Sequence, residues 1–254
     1  MRIDLNSDLG ESFGPWTMGD DAAMLDIVTT ANIACGFHAG DPETMRRTIS
    51  LARERRVAVG AHPGYRDLIG FGRRPQSNVT AREVEALVAY QVGAFQAMAS
   101  LQGYPATHVK THGALGNACA DDDSLADAVA RGIKAADPGL AFMVMPGTAT
   151  ERACDRAGLR PIREIYADRT YDDSFNLTNR KVEGSVIHDV ETALKRVMDM
   201  VAGRRLESVT GKRLPVEIDS VCVHGDNAKA VAMARALRDG LEDAGWTVTS
   251  AIAS

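Results

Sequence analysis

The chain has no run of about 18 or more apolar residues, the length a helix needs to cross a bilayer, so no membrane span is expected. Its first residues, MRIDLNSDLGE, turn polar by the fourth position and offer no apolar leader core. The expected location is therefore the cytoplasm. Lys and Arg total 29 against 34 Asp and Glu, for a net charge of −5. Without a basic face the chain lacks the footprint that phosphate backbones require, so nucleic acid is not an expected partner. The four cysteines (Cys35, Cys119, Cys154 and Cys222) are far apart and form no C-x-x-C pair. Reduced, mostly buried thiols are the expectation. There is no P-loop, since Gly211-Lys212 lacks both the preceding glycine and the following hydroxyl residue. ATP hydrolysis through such a loop is excluded. G-x-S-x-G is absent, which argues against a nucleophilic triad, and no H-E-x-x-H occurs. Finally, no low-complexity linker, internal repeat or compositional break divides the chain. Residues 1–254 are expected to form one domain, and one α/β barrel of this length is ordinary.

What is present is an alternation of strand and helix patterns. Strands are expected at 2–8, 31–35, 57–62, 107–112, 141–146, 160–168 and 219–224. Amphipathic helices are expected between them. Met45, Ile49 and Ala52 form a stripe in 42–55, and Val84, Leu87, Val88, Gln91, Phe95 and Met98 form one in 80–102. Val190, Ala193, Leu194, Val197 and Val201 do the same in 189–202, as do Val231, Ala234, Leu237 and Leu241 in 227–244. Each fits a period of 3.6. Asp41-Pro42 reads as an N-cap with proline at the first helical position, and Thr80 with Glu83 as a capping box. Such alternation implies parallel strands joined by right-handed crossovers, so the expected fold is an α/β (β/α) barrel of seven strands. An open doubly wound sheet is the alternative. Two long connections, 63–79 and 167–188, are expected to be functional loops.

Side chains alternate across a strand, so each strand divides into two faces. Ile3 and Leu5 oppose Asp4, Asn6 and Asp8; Val109 opposes His108, Lys110 and His112; Val221 and Val223 oppose Cys222 and His224. Glu164, Tyr166 and Asp168 share one face of the sixth strand. The apolar face must pack on helices, which aims the polar face into the barrel. Unpaired charge is not stable there, so these groups must pair with one another, with a metal or with a substrate. Barrel enzymes keep their chemistry at the C-terminal strand ends. The candidates there are Asp8, Glu11, His38, His62, Lys110, His112, Asp168, Arg169, His224 and Asp226.

Asp8, His62 and His112 offer two imidazoles and a carboxylate, which suits a divalent ion such as zinc or direct contact with substrate. Lys110 is expected either to stabilise an oxyanion or to form a buried salt bridge. The loop Gly70-Phe71-Gly72-Arg73-Arg74-Pro75 either clamps an anion or lies solvated. Cys35, at a strand end before Gly36-Phe37-His38, is a weak candidate for a thiol nucleophile.

Several stretches together resemble the LamB/YcsF family over nearly the whole chain. They are Asp4 to Glu11 (DLNSDLGE), Ala31 to Pro42 (ANIACGFHAGDP), Gly60 to Tyr65 (GAHPGY), Gly70 to Arg74 (GFGRR), His108 to Leu115 (HVKTHGAL), Ala167 to Arg169 (ADR) and Cys222 to Asp226 (CVHGD). The resemblance implies a barrel of the glycoside hydrolase/deacetylase type. It also implies ATP-coupled conversion of the lactam 5-oxo-L-proline to L-glutamate, together with 5-oxoprolinase subunits B and C. It places Asp8, His62 and His112 where metal ligands are expected. On this reading Asp8 or Asp168 serves as base, Lys110 or a metal holds the oxyanion, and His224 acts as acid. The catalytic set is then Asp8, Lys110, Asp168 and His224. Substrate contacts are expected from Asn6, Glu11, His38, Arg73, Arg74, Arg169 and Asp226, and ATP is expected to bind with the partner subunits. The chain departs from the family pattern at Ser7, Thr111, Gly116 and Tyr171 to Arg180, which bears on substrate identity. Two rival readings are a metal-dependent deacetylase or amidohydrolase acting alone, and a non-catalytic lactam-binding subunit.

Overall fold

The computed structural model describes residues 1–225 and 227–252. Seven parallel strands close a barrel: β1 (Arg2–Leu9), β2 (Thr30–Ala34), β3 (Ala58–His62), β4 (Ala106–Lys110), β5 (Ala141–Val144), β6 (Pro161–Tyr166) and β9 (Ser220–Cys222). Closure runs through β6–β9, with Glu164 beside Ser220, and β9–β1, with Asn6 beside Cys222. The seven strands expected from the sequence are the seven of the barrel, so the open-sheet alternative is set aside. Two short strands, β7 (Arg205–Glu207) and β8 (Arg213–Pro215), form a separate antiparallel hairpin, and β10 (Thr247–Val248) extends the β1 edge at Arg2 and Ile3. At two or three residues these three strands are too short for a periodic signal.

The helices are α1 (Asp21–Leu25), α2 (Pro42–Glu54), α3 (Ala81–Leu101), α4 (Gly113–Asp121), α5 (Asp123–Ala136), α6 (Ala149–Ala157), α7 (Val190–Gly203) and α8 (Ala228–Asp243). Asp41 caps α2 by accepting from the Glu43 and Thr44 amides, with Pro42 in the first turn. Thr80 and Glu83 form the reciprocal capping box of α3. The sequence pattern did not mark α1, α4, α5 or α6. α5 buries Ala126, Ala128, Val129, Ala130, Gly132 and Ile133, a face of mostly small residues.

The barrel wall obeys the period-2 rule. Ile3, Leu5, Ile33, Val59, Val109, Phe142, Ile165 and Val221 are buried in the main core. The opposite faces line the interior in layers. At the bottom, Ala141, Met143 and Ile162 pack with Ala251 and Ile252 of the C-terminal segment. This segment is fastened by Ser250 to Thr30 (Oγ–Oγ1 3.2 Å) and by Arg160 donating to the Ala251 carbonyl at 2.6 Å. Above that plug the interior is polar up to the mouth. No described helix is long and apolar enough to cross a membrane.

Candidate active site

Lys110 is the hub of the interior. Its ammonium lies 3.0 Å from Asp8 Oδ1 and 2.9 Å from Glu164 Oε2. It also donates to Asn6 Oδ1 at 3.2 Å and to Cys222 Sγ at 3.2 Å, and it sits 5.1 Å above the Tyr166 ring. Glu164 is held in turn by the Tyr166 hydroxyl at 2.9 Å. Burial opposes the charge on Lys110, but Asp8, Cys222 and Glu164 outweigh it and raise its pKa well above the usual range. Burial likewise opposes ionisation of Asp8, but His62 and Lys110 hold its carboxyl well below the usual range. The buried salt bridge anticipated for Lys110 is therefore present, and it spends all three ammonium protons.

Beside Asp8 stands a group of imidazoles. His62 donates from Nδ1 to the Lys110 carbonyl at 2.8 Å, and His112 donates from Nε2 to the Phe71 carbonyl at 2.8 Å. These bonds fix both tautomers. The remaining nitrogens, His62 Nε2 and His112 Nδ1, then face each other at 3.0 Å with lone pairs converging. Asp8 Oδ2 lies 3.3 Å from His62 Nε2, and Glu11 Oε1 lies 3.8 Å from His112 Nδ1. His38 stacks flat on His112 at 3.7 Å, with its Nε2 3.6 Å from Glu11. Burial and the neighbouring His62 push His112 down to about 3, so it stays neutral at ordinary pH. These two facing nitrogens beside two carboxylates can hold a cation between them, either a shared proton or a metal ion.

Among the described residues, two groups have ligand atoms within 4.8 Å of one another: Glu11, His38, His62 and His112; and Asp8, Cys222 and His224. The first fits a divalent ion. Its lone pairs converge, and both His38 ring nitrogens are buried without a hydrogen bond among the described residues. The second does not fit, because the Lys110 ammonium already occupies the space against Cys222 and Asp8.

The loop after β3 supplies the floor of this group. Gln91 of α3 braces Gly64 through both its backbone N–H and its carbonyl. Gly72 has φ +61°, and a Cβ there would meet His38 Cβ at 2.7 Å and His112 Cδ2 at 2.9 Å. Glycine is required where the loop crosses the imidazole stack.

Across the mouth, His224 Nδ1 pairs with Asp168 Oδ2 at 2.9 Å, and Asp168 Oδ1 is buried without a hydrogen bond among the described residues. Burial disfavours the Asp168 charge, yet the nearby His224 lowers its pKa overall.

The structure thus brings together Asn6, Asp8, Glu11, His38, His62, Lys110, His112, Asp168 and His224. It places the arginines differently. Arg73 is exposed beside the stack, with its guanidinium 5.0 Å from the Phe71 ring. Arg74 is spent on Asp67 within its own loop. Arg169 is buried and donates to the Thr178 and Ser185 carbonyls, tying down the 167–188 connection. Asp226 lies outside the described residues. Cys35 donates to the Ile33 carbonyl, and burial pushes its thiol up to about 12, which excludes the nucleophile reading. Sequence reasoning put His108 and Cys222 on the inward face without giving them a role, and it overlooked Asn32, although an asparagine in an apolar strand was a readable signal.

The sequence model of the LamB/YcsF family matches residues 3–254. This chain belongs to the LamB/YcsF family. It is 52% identical over 248 residues to the 5-oxoprolinase A-subunit of Nitrobacter hamburgensis, covering 98% of this chain and 97% of that one. The lactam utilization protein from Thermus thermophilus superposes with a TM-score of 0.92 at 42% identity, over 98% of this chain and 100% of that one. The catalytic domain of a peptidoglycan N-acetylglucosamine deacetylase from Eubacterium rectale shares the fold alone, with a TM-score of 0.51 at 13% identity over 98% of this chain and 87% of that domain. The LamB/YcsF motifs cluster at one end of the barrel. DLNSDLGE carries Asp8 and Glu11, GAHPGY carries His62, and HVKTHGAL carries Lys110 and His112.

Proposed function

We propose that this chain hydrolyses 5-oxo-L-proline to L-glutamate as the lactam-opening subunit of an ATP-dependent, cytoplasmic 5-oxoprolinase that also contains subunits B and C. One observation carries the reading: the converging lone pairs of His62 and His112 meet Asp8 Oδ2 on one side of the mouth, and the Asp168–His224 pair faces them from the other. The names of the similar proteins supply the substrate class.

Opening a lactam requires water to add to the ring carbonyl, an oxyanion to be held, and the leaving nitrogen to take a proton as the C–N bond breaks. Asp168 holds His224 in one tautomer, so His224 is suited to accept the proton of the water and return it to the nitrogen. Glu11, His38, His62 and His112, with Asp8 Oδ2 3.3 Å from His62, are the residues that would hold a divalent ion. Such an ion supplies a Lewis acid for the lactam oxygen. Lys110 has no donor left for the oxyanion; it keeps Asp8 charged and oriented. Arg73 is an exposed cation at the mouth suited to the substrate carboxylate. ATP is assigned to the partner subunits, because this sequence carries no P-loop.

The test is reconstitution. The chain combined with subunits B and C is expected to release glutamate from 5-oxoproline only with ATP, and the chain alone to hydrolyse neither. Robust ATP hydrolysis by the isolated chain contradicts the reading. Deacetylation of an acetamido sugar without partners would favour the stand-alone hydrolase. Lactam binding with undiminished turnover in a His224→Ala complex would favour the non-catalytic carrier.

A further inference from the structure

The polar interior beneath Asp8 has a single consistent direction of hydrogen bonding, and it starts at Lys110. An ammonium only donates, so Asn6 must present Oδ1 to it and its amide nitrogen to Glu164 Oε2 (3.3 Å) and Ser220 Oγ (2.8 Å). Asn6 Oδ1 also accepts from Asn32 Nδ2 at 2.8 Å, and the same nitrogen donates to Asp8 Oδ1 at 2.9 Å. Asn32 Oδ1 is thereby turned toward His108 Nε2, 2.8 Å away, so that nitrogen must carry the ring proton. The Thr107 hydroxyl lies 2.9 Å from His108 Nδ1 and 3.0 Å from the Val59 carbonyl. In a neutral ring with Nε2 protonated, Nδ1 is an acceptor that shares the single Thr107 hydroxyl proton with the Val59 carbonyl. Burial and the nearby Lys110 charge push His108 down to about 3, so the ring is neutral and its tautomer does not change at ordinary pH.

Asn32 and His108 are both fully buried. The barrel makes room for the imidazole at Gly60 of β3, where any Cβ would overlap the His108 ring. Asn32 reaches the site only through Asp8 and His108 only through Asn32, and neither belongs to the set assigned above.

We propose that His108 and Asn32 are positioning residues: His108 Nε2–H locks the Asn32 amide, and Asn32 with Lys110 clamps Asp8 Oδ1 so that Oδ2 alone faces the His62–His112 pair. The idea rests on the reading of Asp8 as a working carboxylate. Removing a partner of this kind typically costs about 10–100-fold in activity. Without the His108 donor Asn32 Oδ1 loses that bond in the buried interior, and the amide is held only through its nitrogen, on Asn6 and Asp8.

The experiment compares His108→Gln with His108→Leu in the full chain. Glutamine places an amide N–H close to the position of the imidazole Nε2, and leucine supplies no donor. Three readouts are taken: the His108 tautomer in the wild type by ¹⁵N NMR, exchange of the Asn32 side-chain amide protons in all three proteins, and kcat and KM with the partner subunits. The Nε2–H tautomer is expected throughout pH 5–9. Slow Asn32 amide exchange is expected in wild type and His108→Gln and fast exchange in His108→Leu. The leucine variant should lose about tenfold or more in kcat with little change in KM, and glutamine should restore it. An Nδ1–H tautomer, or equal kcat in the two folded variants, overturns the proposal. If the leucine variant does not fold, a glutamine variant with wild-type melting and a loss beyond about tenfold in kcat also overturns it. A wild-type complex without lactam activity sinks the functional reading instead, and the tautomer and amide exchange then decide the positioning network alone.

Discussion

Lys110→Met is the sharpest single perturbation of this barrel. Methionine keeps most of the stem volume, so the change is chiefly one of charge. It removes a cation 3.0 Å from Asp8 and 2.9 Å from Glu164, in an interior where Lys110 is only 2% exposed. Asp8 keeps the Asn32 donor, and Glu164 keeps Asn6 and Tyr166. Neither keeps a counter-charge from lysine. Breaking a buried pair by removing one partner costs about 3–5 kcal/mol. At about 2–4 °C per kcal/mol for a chain near this size, melting should fall by about 6–20 °C. The pH dependence has a definite sign. The low folded pKa of Asp8 stabilises above the unfolded value near about 3.9 and is lost as pH falls through the folded value. The raised pKa of Lys110 stabilises below about 10.4 and is lost as pH rises through the folded value. The gap between wild type and variant should therefore be full from about pH 5 to about pH 10 and shrink below about pH 4. Differential scanning fluorimetry across that range measures it. Adding Glu164→Gln should recover part of the loss, with a coupling of about 1–3 kcal/mol in a double-mutant cycle. A Lys110→Met protein that melts within about 2 °C of wild type at pH 7.5 would refute the ion-pair reasoning.

The remaining expectations concern the mouth. His62→Ala should abolish stoichiometric divalent metal in the purified protein, measured by elemental analysis, and chelation should lower the melting temperature of wild type but not of this variant. Gly72→Ala should cost about 1–3 kcal/mol, because it forces a left-handed backbone and drives a methyl into His38 and His112; equilibrium denaturation in urea tests this. Arg73→Ala should raise KM for 5-oxoproline and Arg74→Ala should leave it unchanged, since Arg74 is already committed to Asp67; steady-state kinetics of the two complexes separate them.

The barrel was legible because its signal is redundant. Seven strand patterns alternate with helix patterns, four of the strands show period-2 alternation, and α2 and α3 announce their starts with Asp41-Pro42 and Thr80–Glu83. The unread elements are of two kinds: α5 is amphipathic but buries mostly small residues, and β7, β8 and β10 are two or three residues long. Much of the inward cluster could be read for the same periodic reason, from Asp4-Asn6-Asp8 through His108-Lys110-His112 to Glu164-Tyr166-Asp168. What alternation cannot give is pairing across the barrel. It left Lys110 free to be oxyanion partner or salt bridge, and it treated four arginine and carboxylate candidates in long loops as equals. Arg74 and Arg169 turn out to serve their own loops, a matter of backbone path that no local pattern encodes. Cys222 could be assigned a face but no partner, because an isolated thiol in a strand reads as core, and only closure through β9 sets it against the lysine.

The same closure explains why so polar an interior is compatible with a stable barrel. Aliphatic filling is confined to the bottom plug around Met143 and Ile162, with Ala251 and Ile252 beneath it. Above it, Asp4 accepts from the Thr29, Thr30 and Ser220 hydroxyls, so burial can raise its pKa without leaving it unsatisfied. Higher still, one lysine balances two carboxylates while two asparagines carry its direction outward to Asp8. Each layer satisfies the polar groups of the layer above it until the mouth, where the pairing stops. There His62 and His112 turn ring nitrogens toward each other, and among the described residues both His38 nitrogens and Asp168 Oδ1 find no hydrogen-bond partner. Unsatisfied groups are uncommon in folded proteins and are destabilising where they occur. Others lie at Ser7 of β1 and in the 167–188 connection, but only those of His38 and Asp168 sit beside the inward cluster, where a cation and a polar substrate could complete them.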